Sequence, residues 1–490
     1  MDTRRMALCV LLSTLAVSVK STDVFRRANV KLQTYQLQEA TVHWDAAQKS
    51  VILKEGLMET EGEAYGYFND TLLLSGWGIL EINAGYGGIT QEDETTFFLA
   101  GYLEGYLTAG QMFSHYSNMY PQLIKDEKVL EPLKNFLSKQ DQWAREQVKL
   151  RRNSDPLWKH MGLILAQLDG LHAGAALWAK SKHREPLSAF TVQFLNGVGD
   201  LLDLVPALTP RSNSSTGSGA FRMPGMGHCT ALIKVLPGFE NLLVGHSSWY
   251  TYAATMRIYK HWDFKVSDTH VATGKMSFSS YPGFLMSLDD FYLLGSGLLM
   301  TQTSIGVFNA SLFSQLSPHS LLAWQRVRLA NSLAHTGEKW AQVFSRYNSG
   351  TYNSQYMVVD LSRISLSKSI RDGALTVVEQ IPSKVMHSDQ TRALRRDYKK
   401  DPYSKGHPCK TICCRNDLRP RRPRPGGCYD TKVTDYQMAL QLVAETINGP
   451  TTQGGLRPFS WQSFNFTIHQ GLPHTYNFPF ITMRPMLDKP

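Results

Sequence analysis

Cys229-Thr-Ala-Leu-Ile-Lys-Val-Leu236 is a strand-like run that follows directly on a segment built to be cut. Upstream, Arg211-Ser-Asn-Ser-Ser-Thr-Gly-Ser-Gly-Ala220 is rich in Ser and Gly and has too little apolar surface to order itself. Cleavage between His228 and Cys229 would give Cys229 a free α-amine beside its thiol. An α-amine titrates at about 7.7–8.0 and a thiol at about 8.5, so the amine can take the thiol proton near neutrality. A nucleophile that carries its own base is an established catalytic arrangement. A cysteine opening a strand is also a common small buried hydrophobe, and the run alone leaves both readings open.

The chain around this run is 490 residues long, 42% hydrophobic and 19% charged, a globular composition with room for several domains or one large sandwich. Its net charge of +10 gathers in two knots, Lys149-Leu-Arg-Arg152 and Arg419-Pro-Arg-Arg-Pro-Arg424. Neither interleaves basic residues with aromatics, so no nucleic-acid partner is expected. Solvated loops are the first reading of the knots, and contact with anionic lipid headgroups is the second. At the start, Arg4 and Arg5 precede an apolar run from Met6 to Val19, the layout of a signal peptide over residues 1–21. That run is shorter than the ~20 residues of a membrane span, and no later run is longer, so no transmembrane segment is expected. Sequons at Asn69, Asn213, Asn309 and Asn465 fit glycosylation on a secretory route, to the lysosome or out of the cell.

The chain has six cysteines. Cys9 lies in the signal peptide, and Cys409, Cys413, Cys414 and Cys428 crowd together late in the chain. In an oxidising compartment these four read as two disulfides pinning a loop at 401–430. Adjacent Cys413 and Cys414 are poor partners for each other, which leaves two connectivities. Zinc, with His407 nearby, is the alternative. Cys229 is left over, either an inert core thiol or a reactive one. Gly-x-Ser-x-Gly, His-Glu-x-x-His and the Gly-x-x-x-x-Gly-Lys phosphate loop are all absent, and neither cofactor nor metal is expected.

Period-2 patterning predicts strands over 23–90, including 50–54 and 71–80. Apolar recurrence at three and four predicts helices over 91–204, with Pro156 after Asp155 as a helix start. Beyond the linker, strands are expected at 229–236, 241–246, 275–280, 291–304, 355–361 and 374–379. Helices are expected near 249–262, 320–346 and 433–447. Strand pairs followed by helix pairs define a layered α+β fold. The organisation is then a signal peptide at 1–21, a strand and helical part at 22–210, a linker at 211–228 and a nucleophile-bearing part at 229–490.

Longer motifs carry a resemblance. Cys229-Thr-Ala-Leu-Ile-Lys-Val-Leu-Pro-Gly-Phe-Glu240, His246-Ser-Ser-Trp-Tyr-Thr-Tyr252 and Arg257-Ile-Tyr-Lys-His-Trp-Asp-Phe264 resemble the phospholipase B-like (lamina ancestor) family. Asp289-Asp-Phe-Tyr-Leu-Leu-Gly-Ser-Gly297, Tyr347-Asn-Ser-Gly-Thr-Tyr-Asn353 and Glu379-Gln-Ile-Pro382 continue the likeness in order. Thr411-Ile-Cys-Cys-Arg415 and Gly426-Gly-Cys-Tyr-Asp-Thr-Lys-Val433 resemble its phospholipase B-like 1 branch. The resemblance implies an N-terminal-nucleophile hydrolase with an αββα sandwich, matured by self-cleavage into two fragments that stay associated. It implies acyl chains of phospholipids, or of another acylated small molecule, as substrate. By the same resemblance Cys229 is cleavage residue and nucleophile, His246 a site histidine, Trp249 a pocket wall and Ser304 the counterpart of a site threonine. Asp289 and Asp290 are a candidate acid pair, although neighbours in a regular strand face opposite ways. Asn348 and Asn353 flank Gly350 as turn-formers.

After Gln390 the chain departs from the family. A Tyr-Trp-x-Ser-Tyr-Asn segment and a Pro-Arg-Ala segment, which the resemblance credits with a site asparagine and arginine, are missing; Arg392-Ala393 is the only candidate remnant. Loss of one oxyanion donor typically costs about 10²–10³ in rate. Three functions therefore remain open: an acyl-ester hydrolase, an amidase on N-acyl substrates, or a non-catalytic secreted glycoprotein.

Overall fold

The computed structural model describes residues 37–87, 92–209, 229–396, 413–452 and 455–487. The expected signal peptide, His228, Asn213 and Cys409 lie outside them.

Strands β1 (Leu37–Asp45), β2 (Ser50–Glu55), β3 (Ala64–Thr71) and β4 (Trp77–Ala84) come first. Helices α1 (Asp93–Leu123), α2 (Leu130–Arg151), α3 (Pro156–Ser181), α4 (Ala189–Asn196) and α5 (Val198–Leu208) follow. Pro156 opens α3 as the sequence predicts, and Asp155 caps it by accepting from the Leu157 N–H at 3.0 Å. After Cys229 come β5 (Thr230–Val235), β6 (Leu242–Ser247), β7 (Trp249–Thr251), β8 (Ile258–Phe264), β9 (Lys275–Ser280), β10 (Tyr292–Leu294) and β11 (Leu298–Ser304). Then α6 (Ala323–Leu333) and α7 (Gly337–Phe344) precede β12 (Ser354–Asp360), β13 (Leu375–Ile381) and β14 (Lys384–Asp389). The chain closes with β15 (Gly426–Cys428), β16 (Asp430–Asp435), β17 (Ala444–Asn448) and β18 (Ile481–Met483).

An 11-stranded sheet runs β14-β13-β12-β11-β10-β9-β8-β4-β3-β1-β2, and a 5-stranded sheet runs β18-β17-β16-β6-β5. The fold is α+β. Alternate residues of the large sheet serve two cores. Tyr356 and Val358 of β12 pack with the helices, whereas Met357 and Val359 pack against Ala231, Leu242 and Val244 of the small sheet. The outward positions Leu232, Leu243 and Val433 of the small sheet are exposed. β4, from before the linker, pairs in parallel with β8, from after it, Gly78 lying opposite Ile258 and Ala84 opposite Phe264. Both sides of Cys229 thus share one sheet.

Burial on both faces explains where the sequence reading fails. The helix expected near 249–262 is β7, a short turn and β8, because Ile258 and Trp262 face the helical core while Tyr259 faces the small sheet. A strand buried on both sides loses the half-polar alternation that identifies strands. The helix expected at 433–447 is β16 and β17 joined by a five-residue helix, Tyr436–Leu440, capped by Asp435 and ended by Leu442 at φ 59°. The span 320–346 splits into α6 and α7, because Thr336 caps a new start by accepting from the Lys339 N–H at 3.2 Å. Residues 71–80 hold a single helical turn, Leu72–Ser75, before β4, and 291–304 breaks into β10 and β11 at Gly295–Gly297.

The helical layer rests on a backbone-to-backbone contact between α1 and α3. Gly101 and Gly105 face Gly170 and Gly174; a Cβ on Gly105 would lie 2.1 Å from the Leu171 carbonyl oxygen. Gly105→Ala gains about 1 kcal/mol of helix propensity. The overlap with backbone outweighs it, since overpacking costs roughly 1–3 kcal/mol and rigid carbonyls cannot yield like side chains. Gly105→Ala is expected to lower the melting temperature of the full chain; an unchanged or raised melting temperature would refute this packing.

Candidate active site

Cys229 stands at the edge of the small sheet. The register that pairs Thr230 with Ser247 and Ala231 with His246 brings Cys229 alongside Ser248. Lys432 lies opposite His246 on the next strand. By the twofold alternation of strands, Cys229, Ser248, His246, Asp430 and Lys432 all point toward the large sheet. Cys229, Ser248, Trp249, Ser304 and Tyr352 line one pocket of about 30 Å³, the room of roughly a single water. Ser304 ends β11, so the pocket sits on the seam between the sheets.

Beneath the seam lies a closed set of four charges. Arg257 donates to Asp289 at 2.9 Å and pairs with Asp430 at 2.8 Å; Lys432 reaches Asp289 at 2.6 Å and Asp430 at 2.8 Å. Their side chains are at most 1% exposed. Two cations and two anions balance, and neighbours fill most of the remaining hydrogen-bond capacity, Arg257 Nε alone having no partner among the described residues. Ser279 donates to Asp289 at 2.5 Å, and the Ser248 N–H donates to Asp430 at 2.7 Å. Arg257 also lies between the rings of Trp77 and Tyr281, at 4.7 and 4.4 Å. Burial by itself would raise the Asp289 carboxyl, but Arg257 and Lys432 hold it well below the usual carboxylate range.

These charges act on the thiol. Burial pushes Cys229 up to about 12, against the pull of Lys432 and of a hydrogen bond from the Trp249 backbone. In the uncut chain the sulfur is therefore a protonated thiol. His246 does not line the pocket. Burial, then Lys432, lowers it to about 3, so the ring is neutral; its Nε2 donates to the Gln302 carbonyl at 3.0 Å and Nδ1 has no partner among the described residues. A base that weak cannot hold the thiol proton, whereas an α-amine can. Lys432 also donates to the Ser248 hydroxyl at 2.7 Å, leaving that hydroxyl's own proton for the pocket.

The structure thus gathers Cys229, Trp249 and Ser304 and sets His246 behind them. Asp289 and Asp290 separate: Asp290, at φ 47°, leaves Oδ2 unpartnered, and burial beside Asp289 and Asp200 raises it far above the usual range. Asn348 shapes the turn at Gly350, accepting from its N–H at 2.9 Å, and Asn353 donates to Asp203 at 3.1 Å. Arg392 is exposed on the short helix Thr391–Arg396. Asn309 and Asn465 are exposed, and Asn69 is half-buried within β3. Cys413 is bonded to Cys428, and Cys414 is also in a disulfide, which removes the thiolates a zinc site would need. Ser248, Arg257, Asp430 and Lys432 escaped the sequence reading. Their signal was Asp430-Thr-Lys432, opposite charges two residues apart on one strand face, which implies internal pairing.

The description "Phospholipase B" belongs to the family model that matches residues 64–398 and 395–483. Phospholipase B-like 1 of Bos taurus is 48% identical over 510 residues, covering 91% of this chain and 93% of the relative. Phospholipase B-like 1 of Homo sapiens is likewise 48% identical over 510 residues, covering 91% and 92%. Phospholipase B of Crotalus adamanteus is 46% identical over 519, covering 91% and 93%. The chain belongs to the phospholipase B family. Since 91% of 490 residues is about 446, some 64 of the 510 positions aligned with the Bos taurus relative face a gap. The two matched stretches meet at 395–398, where the sequence departs from its family.

The charge set makes a sharp prediction. Lys432→Met leaves two buried carboxylates facing one guanidinium and is expected to cost ~3–5 kcal/mol in thermal unfolding. Adding Asp430→Asn restores the balance and is expected to recover a large part of that loss. Simple addition of the two single-mutant losses would contradict the closed set.

Proposed function

We propose that this chain is a self-maturing hydrolase that removes acyl chains from phospholipids through the thiol of Cys229. The observation that carries the reading is the placement of the one free cysteine among the described residues, in a pocket on the seam of two sheets beside Lys432. The names of its relatives support the lipid substrate. The two packed sheets with a helical layer support an N-terminal-nucleophile sandwich.

Maturation begins when the Cys229 thiol adds to the carbonyl carbon of His228 and its proton passes to the peptide nitrogen. The peptide nitrogen leaves as the Cys229 α-amine, a thioester forms, and water hydrolyses it to the His228 carboxylate. The two fragments remain joined through the β4–β8 ladder. In turnover the amine takes the thiol proton and the thiolate attacks the acyl carbonyl. The ammonium returns the proton to the departing glycerol oxygen. Water, with the amine again as base, then releases the fatty acid and restores the thiol. Ser304 and Ser248 offer hydroxyls to the oxyanion, while Lys432 favours negative charge at the sulfur. An N-acyl amide would follow the same route, with the proton delivered to nitrogen.

The split of the family match at 395–398, with the alignment positions this chain lacks, favours a second reading, a secreted glycoprotein that matures but does not turn over. Two experiments separate the cases. Cys229→Ala is expected to keep the secreted chain whole by intact mass, while the native chain gives two fragments meeting at Cys229; continued cutting of the variant would exclude self-cleavage. Mature protein given a fluorogenic phospholipid should release fatty acid and lose that release after thiol alkylation; cleavage without any release would establish the non-catalytic reading.

A further inference from the structure

We propose that the loop Arg419-Pro-Arg-Arg-Pro-Arg424 docks the protein on anionic phospholipid bilayers. All four arginines of this loop are exposed. The loop is built to present them. The N–H groups of Arg419 and Arg424, at its two ends, donate to the same Asn416 carbonyl at 3.4 and 3.2 Å. Pro420 and Pro423 fix two of the φ angles between, so little freedom is lost on binding. The base is locked by the Cys413–Cys428 disulfide and a buried pair, Arg415 to Asp417 at 2.5 Å. Tyr252 donates to the same Asp417 at 3.2 Å, and Arg415 holds the Arg457 carbonyl at 2.6 Å. Asp417, the acid nearest in sequence, is thus already neutralised, and no ion pair reaches Arg419, Arg421 or Arg422 among the described residues.

A shallow trough of about 530 Å³ lies beside the loop. Leu418, Pro420, Pro423 and Leu456 give it an apolar floor, and Arg419 and Arg457 give it a cationic rim. Leu456 is 40% exposed. A cationic rim around an apolar floor matches the boundary of headgroup phosphates and acyl chains. Nucleic acid would call for exposed aromatics to stack on, and the loop has none. The choice of lipid over a sulfated polysaccharide rests on the phospholipid reading of the substrate. The geometry also gives docking a use: Cys428, at the foot of the loop, pairs with Trp249, and the adjacent Tyr429 lines the Cys229 pocket.

The test is co-flotation of mature full-length protein with vesicles of phosphatidylcholine alone and of phosphatidylcholine mixed with phosphatidylserine. The native protein should float with the mixed vesicles only, and raised salt should release it. Each arginine near such a surface contributes roughly fivefold, so replacing all four with glutamine should weaken binding by roughly 600-fold if the contributions add. Glutamine at Lys149, Arg151 and Arg152 instead should leave flotation intact. Equal flotation of the native and four-glutamine proteins, with matching thermal melts, would overturn the proposal. So would native protein that is retained by a sulfated polysaccharide or nucleic acid but ignores the vesicles. Flotation of Cys229→Ala reads docking apart from hydrolysis, so failure of one is distinguishable from failure of the other.

Discussion

Arg257, Asp289, Lys432 and Asp430 close the seam between the two sheets, and the site is arranged around that closure. Removing four charges from water costs several kcal/mol apiece, and only a set with all its hydrogen bonds made can recover this. Here the set is nearly complete: each carboxylate meets two cations, Ser248 and Ser279 take remaining positions, and only Arg257 Nε lacks a partner among the described residues. The arrangement ties the start of β8 and the β9–β10 turn to β16. Through Ser248 it also fixes the strand end alongside Cys229, so the charge set and the nucleophile share one geometry.

That geometry gives the proposed cut a chemical purpose. Before the cut, burial keeps the sulfur protonated, and the one nearby imidazole is too acidic to help. The proposed cleavage would bring a base of suitable strength bonded to the same residue, with Lys432 in place to support the thiolate. On the proposed reading the buried thiol of the precursor is disfavoured as a thiolate and reacts only with the carbonyl bonded to its own residue's nitrogen, and its product would turn on external acyl groups by gaining an amine rather than by refolding. The shared eleven-stranded sheet is compatible with this, because a break at 228–229 would leave the β4–β8 ladder whole.

The sequence revealed these parts unevenly. The helical segment and its Pro156 start were legible, as were the strands at 229–236, 241–246 and 275–280, because periodicity and caps are local signals. Strand β8 was not, since Ile258-Tyr-Lys-His-Trp-Asp-Phe264 packs a core on each face and shows no twofold alternation, and Lys260 is buried only through its pairing with Glu104 at 2.6 Å. Of the site, Cys229 stood out by cysteine arithmetic, while His246, Trp249 and Ser304 needed the family resemblance. The partners of the charge set lie between 2 and 173 residues apart in sequence, and only the fold brings them together.

The most direct test of the account is the pH dependence of Cys229 alkylation in mature protein, followed by mass spectrometry of the labelled residue. If the liberated amine activates the sulfur, alkylation should rise with an apparent midpoint at or below about 8. A midpoint still near 12, where burial holds the thiol of the uncut chain against the pull of Lys432, would contradict it.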